Sequence, residues 1–159
     1  MRNFTFDKYN NLTPYSVIDT TLEEIELELV YSFDENSIRL QLFEMLKIYL
    51  LDLSNLLDRQ PFEVLIDGSF TSRKINPNDI DIVVIIDSKI VKAIDVTGFR
   101  CNLSQKKLVN YSGVHAFVIE KFEENNTKFI LFQADFLHWL SFFSKDRKGN
   151  KKGILKIIF

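Results

Sequence analysis

The apolar positions change period along the chain, and each change marks an element. Residues 1–19 carry Asn10, Asn11 and Pro14 and little periodicity, which reads as an extended arm. Asp19-Thr20-Thr21 then offers a helix N-cap, with Glu23 and Glu24 in a first turn where the helix dipole favours anions. Leu22, Ile25, Leu29 and Val30 recur at helical spacing. Asn36 or Ser37 can cap a longer helix reaching about Leu57, with Leu40, Phe43, Leu46, Leu50 and Leu53 among its apolar residues. So apolar a helix must pack on a sheet. Pro61 ends this pattern.

Shorter, β-branched runs follow. EVLID at 63–67 and IDIVVII at 80–86 read as buried strands, separated by Gly68, Pro77 and two asparagines that mark turns. Residues 105–110 read as a short helix or loop, and VHAFVIEKF at 114–122 alternates as a third strand. Phe129, Phe132, Phe136, Leu140 and Phe143 return to helical spacing, predicting a helix over 128–144. DRKGNKKG is a basic, glycine-punctuated loop, and ILKIIF is a candidate last strand. The order predicts an α+β or α/β layer fold, read as α+β. It is a small mixed β-sheet with helices against one face and two N-terminal helices, in a single domain over 1–159.

Composition narrows the function. Hydrophobic residues make up 46%, enough for a substantial core, and fifteen phenylalanines fill much of it. A net charge of -2 argues against a broad nucleic-acid surface, so RNA is not indicated by charge, though a local phosphate site is compatible with it. Cys101 is the single cysteine, so an internal disulfide is ruled out and a thiolate zinc site disfavoured. Its sequence neighbourhood holds no activating His or basic pair, which makes it a small, inert residue. The start MRNFTFDKYN has no long apolar stretch, and no run approaches 18 apolar residues; the expectation is a cytoplasmic protein with no membrane span.

The chemistry gathers in DGSFTSRKINPNDIDIVVII, residues 67–86. Asp79 and Asp81 are two apart at the start of a strand, so both side chains share one face. Two carboxylates held this close repel unless a divalent cation sits between them, and hard oxygen donors suit Mg²⁺ or Mn²⁺. Gly68 allows close approach of backbone to a ligand. Ser69 adds a hydroxyl where a helix can begin, with free N–H groups able to receive phosphate. Arg73 and Lys74 add mobile positive charge. Such equipment suits phosphoryl-type transfer. The plain alternative is a strand that begins with a solvated Asp. Asp67 reads as a cap for the turn or a metal support, with the cap favoured.

This stretch resembles the GS…DxD signature of the DNA polymerase beta-like nucleotidyltransferase superfamily, and more closely a branch of uncharacterised prokaryotic nucleotidyltransferase-like proteins. The resemblance takes in LTPYSVIDTTLEE, IDGSFTSRKINPNDIDIVV, and Trp139 with FFSKDRKGNKKGIL. It implies that Gly68 and Ser69 form a phosphate turn for an NTP and that Asp79 and Asp81 bind divalent metal. It implies transfer of an NMP to a hydroxyl of a protein, an RNA or a small molecule. It also suggests a toxin–antitoxin or phage-defence setting with a protein partner. The superfamily carries a third acid on a later strand. Here the matching position holds His115, which reads either as a partly buried strand residue or as a metal ligand or base. Glu120 points to the opposite strand face, and Asp135 lies on the predicted helix. Three functional readings follow: an enzyme, a binding or regulatory module that has lost turnover through His115, and a site completed by a partner's acid. Asp146, Arg147, Lys148, Lys151 and Lys152 read as a solvated turn or a phosphate clamp. His138 and Trp139 read as core, with base stacking an alternative for Trp139.

Overall fold

In the computed structural model, residues 5–33, 37–100 and 110–159 are described. The sequence reading for 105–109, and the readings for Asn36 and Cys101, lie outside them. The elements are β1 (Thr5–Phe6), β2 (Leu12–Thr13), β3 (Val17–Asp19), α1 (Leu22–Leu29), α2 (Arg39–Leu56), β4 (Glu63–Asp67), β5 (Ile80–Asp87), α3 (Ser88–Val91), β6 (Val114–Lys121), α4 (Phe129–Phe143) and β7 (Ile154–Ile158). Single 3-10 turns occupy Ser69–Thr71 and Thr97–Phe99. This is a mixed α+β fold.

The main sheet has the order β3-β7-β4-β5-β6. Its outer pairs, β3 with β7 and β5 with β6, are parallel, and its inner pairs are antiparallel. The N-terminal segment is therefore more than an extended arm. β1 and β2 form a hairpin, and β3 adds an edge strand beside β7. Leu12 within it is fully buried. Alternation in so short a stretch is too brief to register as a strand pattern, so only the pairing partner reveals it.

Strand alternation splits the sheet into two apolar faces. Val64, Ile66, Ile82, Val84, Leu155 and Ile157 pack with Ile25, Leu29, Phe43, Leu46, Tyr49 and Leu50 from α1 and α2. Leu65, Val83, Ile85, Ile119 and Ile154 face the other way, onto Phe132, Phe136, Trp139, Leu140 and Phe143 of α4. Helices thus cover both faces, which corrects the one-sided packing expected from the sequence. The unbroken apolar run IVVII, 82–86, is the mark of a strand covered on both sides.

Each helix has a local cause. α1 begins with a capping box: the Glu24 N–H donates to Thr21 Oγ1, and the Glu24 carboxylate accepts from the Thr21 N–H. α2 buries Arg39, Leu42, Phe43, Leu46, Tyr49, Leu50 and Leu53, one helical stripe. The stripe starts at Arg39, whereas Leu40 is 44% exposed. Arg39 is wholly buried, and its guanidinium donates to the carbonyls of Leu29, Phe70, Ser72 and Lys74. The Phe33 ring lies 3.8 Å from it. Burial lowers the Arg39 pKa to about 10, which leaves it cationic at neutral pH. Three of its four acceptors belong to residues 70–74, so Arg39 fixes the path of the chain between the Gly68-Ser69 turn and β5.

Candidate functional site

The register of three strands assembles the site. Asp67 at the end of β4 pairs with Asp81 near the start of β5, and Asp81 pairs with His115 near the start of β6. All three fall on the α4 face, continuing the Leu65–Val83–Phe117 row beyond the part that α4 covers. Asp79 lies just before β5 and joins them. Carboxylate oxygens of Asp79 and Asp81 and a ring nitrogen of His115 all lie within 4.8 Å of one another. His115 Nδ1 is 3.2 Å from Asp81 Oδ1 and 3.6 Å from Asp79 Oδ2. Among the described residues, no lysine or arginine forms an ion pair with Asp79 or Asp81.

Gly68 closes against this pair. Its φ is +84°, in the region glycine alone enters readily, and a Cβ there would stand 2.5 Å from Asp81 Oδ2. A strand-end carboxylate thus packs directly on the turn backbone. Burial raises the Asp81 pKa, and the nearby Asp79 charge raises it further; His115 and Lys152 oppose the shift.

Lys152 is the cation built into the site. It is buried, its Nζ lies 2.8 Å from Asp67 Oδ1, and it donates to the Gly68 carbonyl. Asp67 also accepts from the Thr71 hydroxyl at 3.1 Å. Burial pushes the Asp67 carboxyl up to about 6 even with the ammonium beside it. Asp67 therefore braces the turn through Thr71 and Lys152, and it stands outside the Asp79–Asp81–His115 cluster.

The remaining candidates are placed as follows. Ser69 is half-buried at the head of a single 3-10 turn, Ser69–Thr71; the helix expected to begin there is only this turn. Arg73 is exposed with its guanidinium over the Phe6 ring, and Lys74 is exposed. Glu120 lies 3.9 Å from Arg100 and Asp135 is exposed on α4; neither joins the cluster. Trp139 packs on Phe117 with ring centroids 4.3 Å apart, as core, while His138 is exposed rather than core.

The basic loop is organised by Asp146. Its carboxylate accepts from the Lys148 and Asn150 N–H groups and from the Asn150 and Asn11 side-chain amides. These bonds hold its pKa far below the usual carboxylate range. Arg147, Lys148 and Lys151 are exposed, while Lys152 turns inward to Gly68. Sequence reasoning grouped Lys152 with that loop and passed over Arg39. The available signals were a lysine directly before a glycine and an apolar strand, and a lone cation in the first turn of an apolar helix, where the dipole disfavours it.

The donor set fits a divalent cation. Two hard carboxylates and one imidazole converge, with the Gly68 backbone closing one side. The fold and these residues define a small α+β protein with a carboxylate–imidazole cluster at its strand ends. The chain belongs to a family of unknown function, DUF6932, whose profile matches residues 4–158. No curated protein and no solved structure matches it.

Proposed function

We propose that this protein is a metal-dependent nucleotidyltransferase that moves an NMP from an NTP to a hydroxyl acceptor. The observation that carries the reading is the convergence of Asp79, Asp81 and His115 against the Gly68 turn. A bound divalent ion would supply charge neutralisation and Lewis-acid polarisation of the phosphates. Asp79 and Asp81 hold that ion. The turn at Gly68 and Ser69 receives the phosphates, kept in shape by Lys152 at the Gly68 carbonyl and by Arg39 at residues 70–74. In the reaction the acceptor oxygen bonds to the α-phosphorus, the bond to the β-phosphate oxygen breaks, pyrophosphate leaves, and the hydroxyl proton passes to solvent. Arg73 and Lys74 are exposed at the segment's edge, where they can meet the charge developing on the leaving phosphates. The acceptor is a protein, RNA or small-molecule hydroxyl, and a toxin–antitoxin or phage-defence partner is the protein form of that acceptor.

One observation favours a second reading. His115 lies between both aspartates, where a third negative charge would complete a two-ion site. A binding or regulatory module that keeps the nucleotide or partner surface without turnover fits this equally.

The experiment is incubation with each α-labelled NTP and Mg²⁺ or Mn²⁺, alone and with co-purified proteins. The wild type is compared with Asp79→Asn/Asp81→Asn. Transfer by the wild type alone supports the enzyme. Absence of transfer with any NTP, alongside nucleotide or partner binding, replaces it with the binding module.

A further inference from the structure

His115 changes which cation the cluster can hold and how many. Two divalent ions bring four positive charges, and Asp79 and Asp81 together supply two negative ones. Asp67, the next carboxylate, is already paired with buried Lys152. A neutral imidazole adds a donor atom and no charge, so one divalent ion is matched and two are not. The two distances from His115 suit a single ion's shell, and all three donor atoms lie within 4.8 Å of one another. Metal–ligand bonds of about 2.0–2.1 Å place neighbouring donors about 2.8–3.0 Å apart in an octahedral shell and about 3.3–3.4 Å apart in a tetrahedral one. His115 Nδ1 stands 3.2 and 3.6 Å from the two carboxylate oxygens, close to those edges. Imidazole is a borderline ligand: it adds affinity for Mn²⁺, Co²⁺ and Zn²⁺ and little for Mg²⁺.

We propose that Asp79, Asp81 and His115 Nδ1 form a single-ion centre that selects a borderline transition-metal dication over Mg²⁺, with His115 as the selecting ligand. This rests on the reading that the aspartate pair holds metal, and it deepens that reading. Three protein ligands leave coordination positions open for water or a phosphate oxygen.

The test uses the full chain without nucleotide. Calorimetric titration with Mn²⁺, Co²⁺ and Mg²⁺ gives stoichiometry and affinity, and the Co²⁺ visible spectrum reports nitrogen ligation. The expected result is one equivalent of Co²⁺ or Mn²⁺, bound at least a hundredfold more tightly than Mg²⁺. His115→Gln should lower the Co²⁺/Mg²⁺ affinity ratio at least tenfold and shift the Co²⁺ spectrum. His115→Asp should move preference towards Mg²⁺ and admit a second ion. Circular dichroism confirms that each variant is folded. Two equivalents of Mg²⁺ in the wild type, or a ratio unchanged by His115→Gln, overturns the inference; so does absence of metal binding, which also removes the aspartate-pair reading. One-ion selectivity without label transfer from any NTP removes the transferase alone. Transfer supported equally by Mg²⁺ in wild type and His115→Gln removes the His115 inference alone.

Discussion

At the scale of single residues, the site is held by groups whose chemistry is costly to bury. Gly68 combines a positive φ with an approach to Asp81 that leaves no room for a Cβ. Gly68→Ala should destabilise the fold by about 1–2 kcal/mol and displace the Asp81 carboxylate. Metal titration of that variant should show weakened binding; unchanged affinity would mean that the close approach plays no part in the site. Lys152 and Asp67 form the buried ion pair beneath the turn. Lys152→Met leaves the Asp67 charge without its partner and should cost about 3–5 kcal/mol in denaturant unfolding near neutral pH.

The same pair makes a pH prediction. Burial pushes the Asp67 carboxyl from its ordinary 3.8 up to about 6. The folded state holds this proton more tightly than the unfolded chain does. The contribution of Asp67 to stability therefore falls as pH rises from about 4 through 6, by up to about 3 kcal/mol. Unfolding free energies at pH 4, 5, 6 and 7 should show wild type losing ground to Asp67→Asn across that window. A difference independent of pH would contradict the account.

At the scale of elements, Arg39 and the capping box show two ways a helix serves the site. Thr21→Ala removes the hydroxyl that accepts from the Glu24 N–H, one of the two bonds of the capping box, and should cost about 1 kcal/mol while leaving metal titrations as in wild type. Arg39→Met keeps a long apolar stem but strands the carbonyls of buried Leu29 and Phe70 and half-buried Ser72, besides that of exposed Lys74. It should cost more than about 3 kcal/mol. Limited proteolysis should open the 70–74 segment first; cleavage elsewhere would show that Arg39 does not govern that path. The elements themselves were largely legible. β4, β5, β6, α1, α4 and β7 follow from β-branched runs and helical phenylalanine spacing, because each buries enough apolar surface for its period to show. α3 and the N-terminal strands were not, since elements of two to four residues carry too few positions for a period.

At the scale of the whole molecule, the site is a product of register. Asp79 and Asp81 were legible as a pair because two residues on one strand share a face. His115 could be named by position, yet its contact with them depends on β5 and β6 pairing in parallel with Asp81 beside His115. Lys152 lies 84 residues from Gly68 and reaches it because β7 pairs with β4. No local pattern encodes such a contact, and the net charge hides it, since one buried cation among many surface charges leaves the sum unremarkable. No helix among the described residues is long and apolar enough to cross a membrane.

The Asp79–Asp81–His115 cluster is proposed to hold a divalent ion beside a turn that receives NTP phosphates. The most direct measurement is a crystal structure of the full chain with Mn²⁺ and a non-hydrolysable NTP analogue, using the anomalous signal of Mn²⁺ to locate the ion. One Mn²⁺ peak is expected, bonded to both aspartates and His115 Nδ1, with the triphosphate on the backbone of Gly68 and Ser69. Mn²⁺ bound elsewhere, or an analogue seated away from that turn, would contradict it.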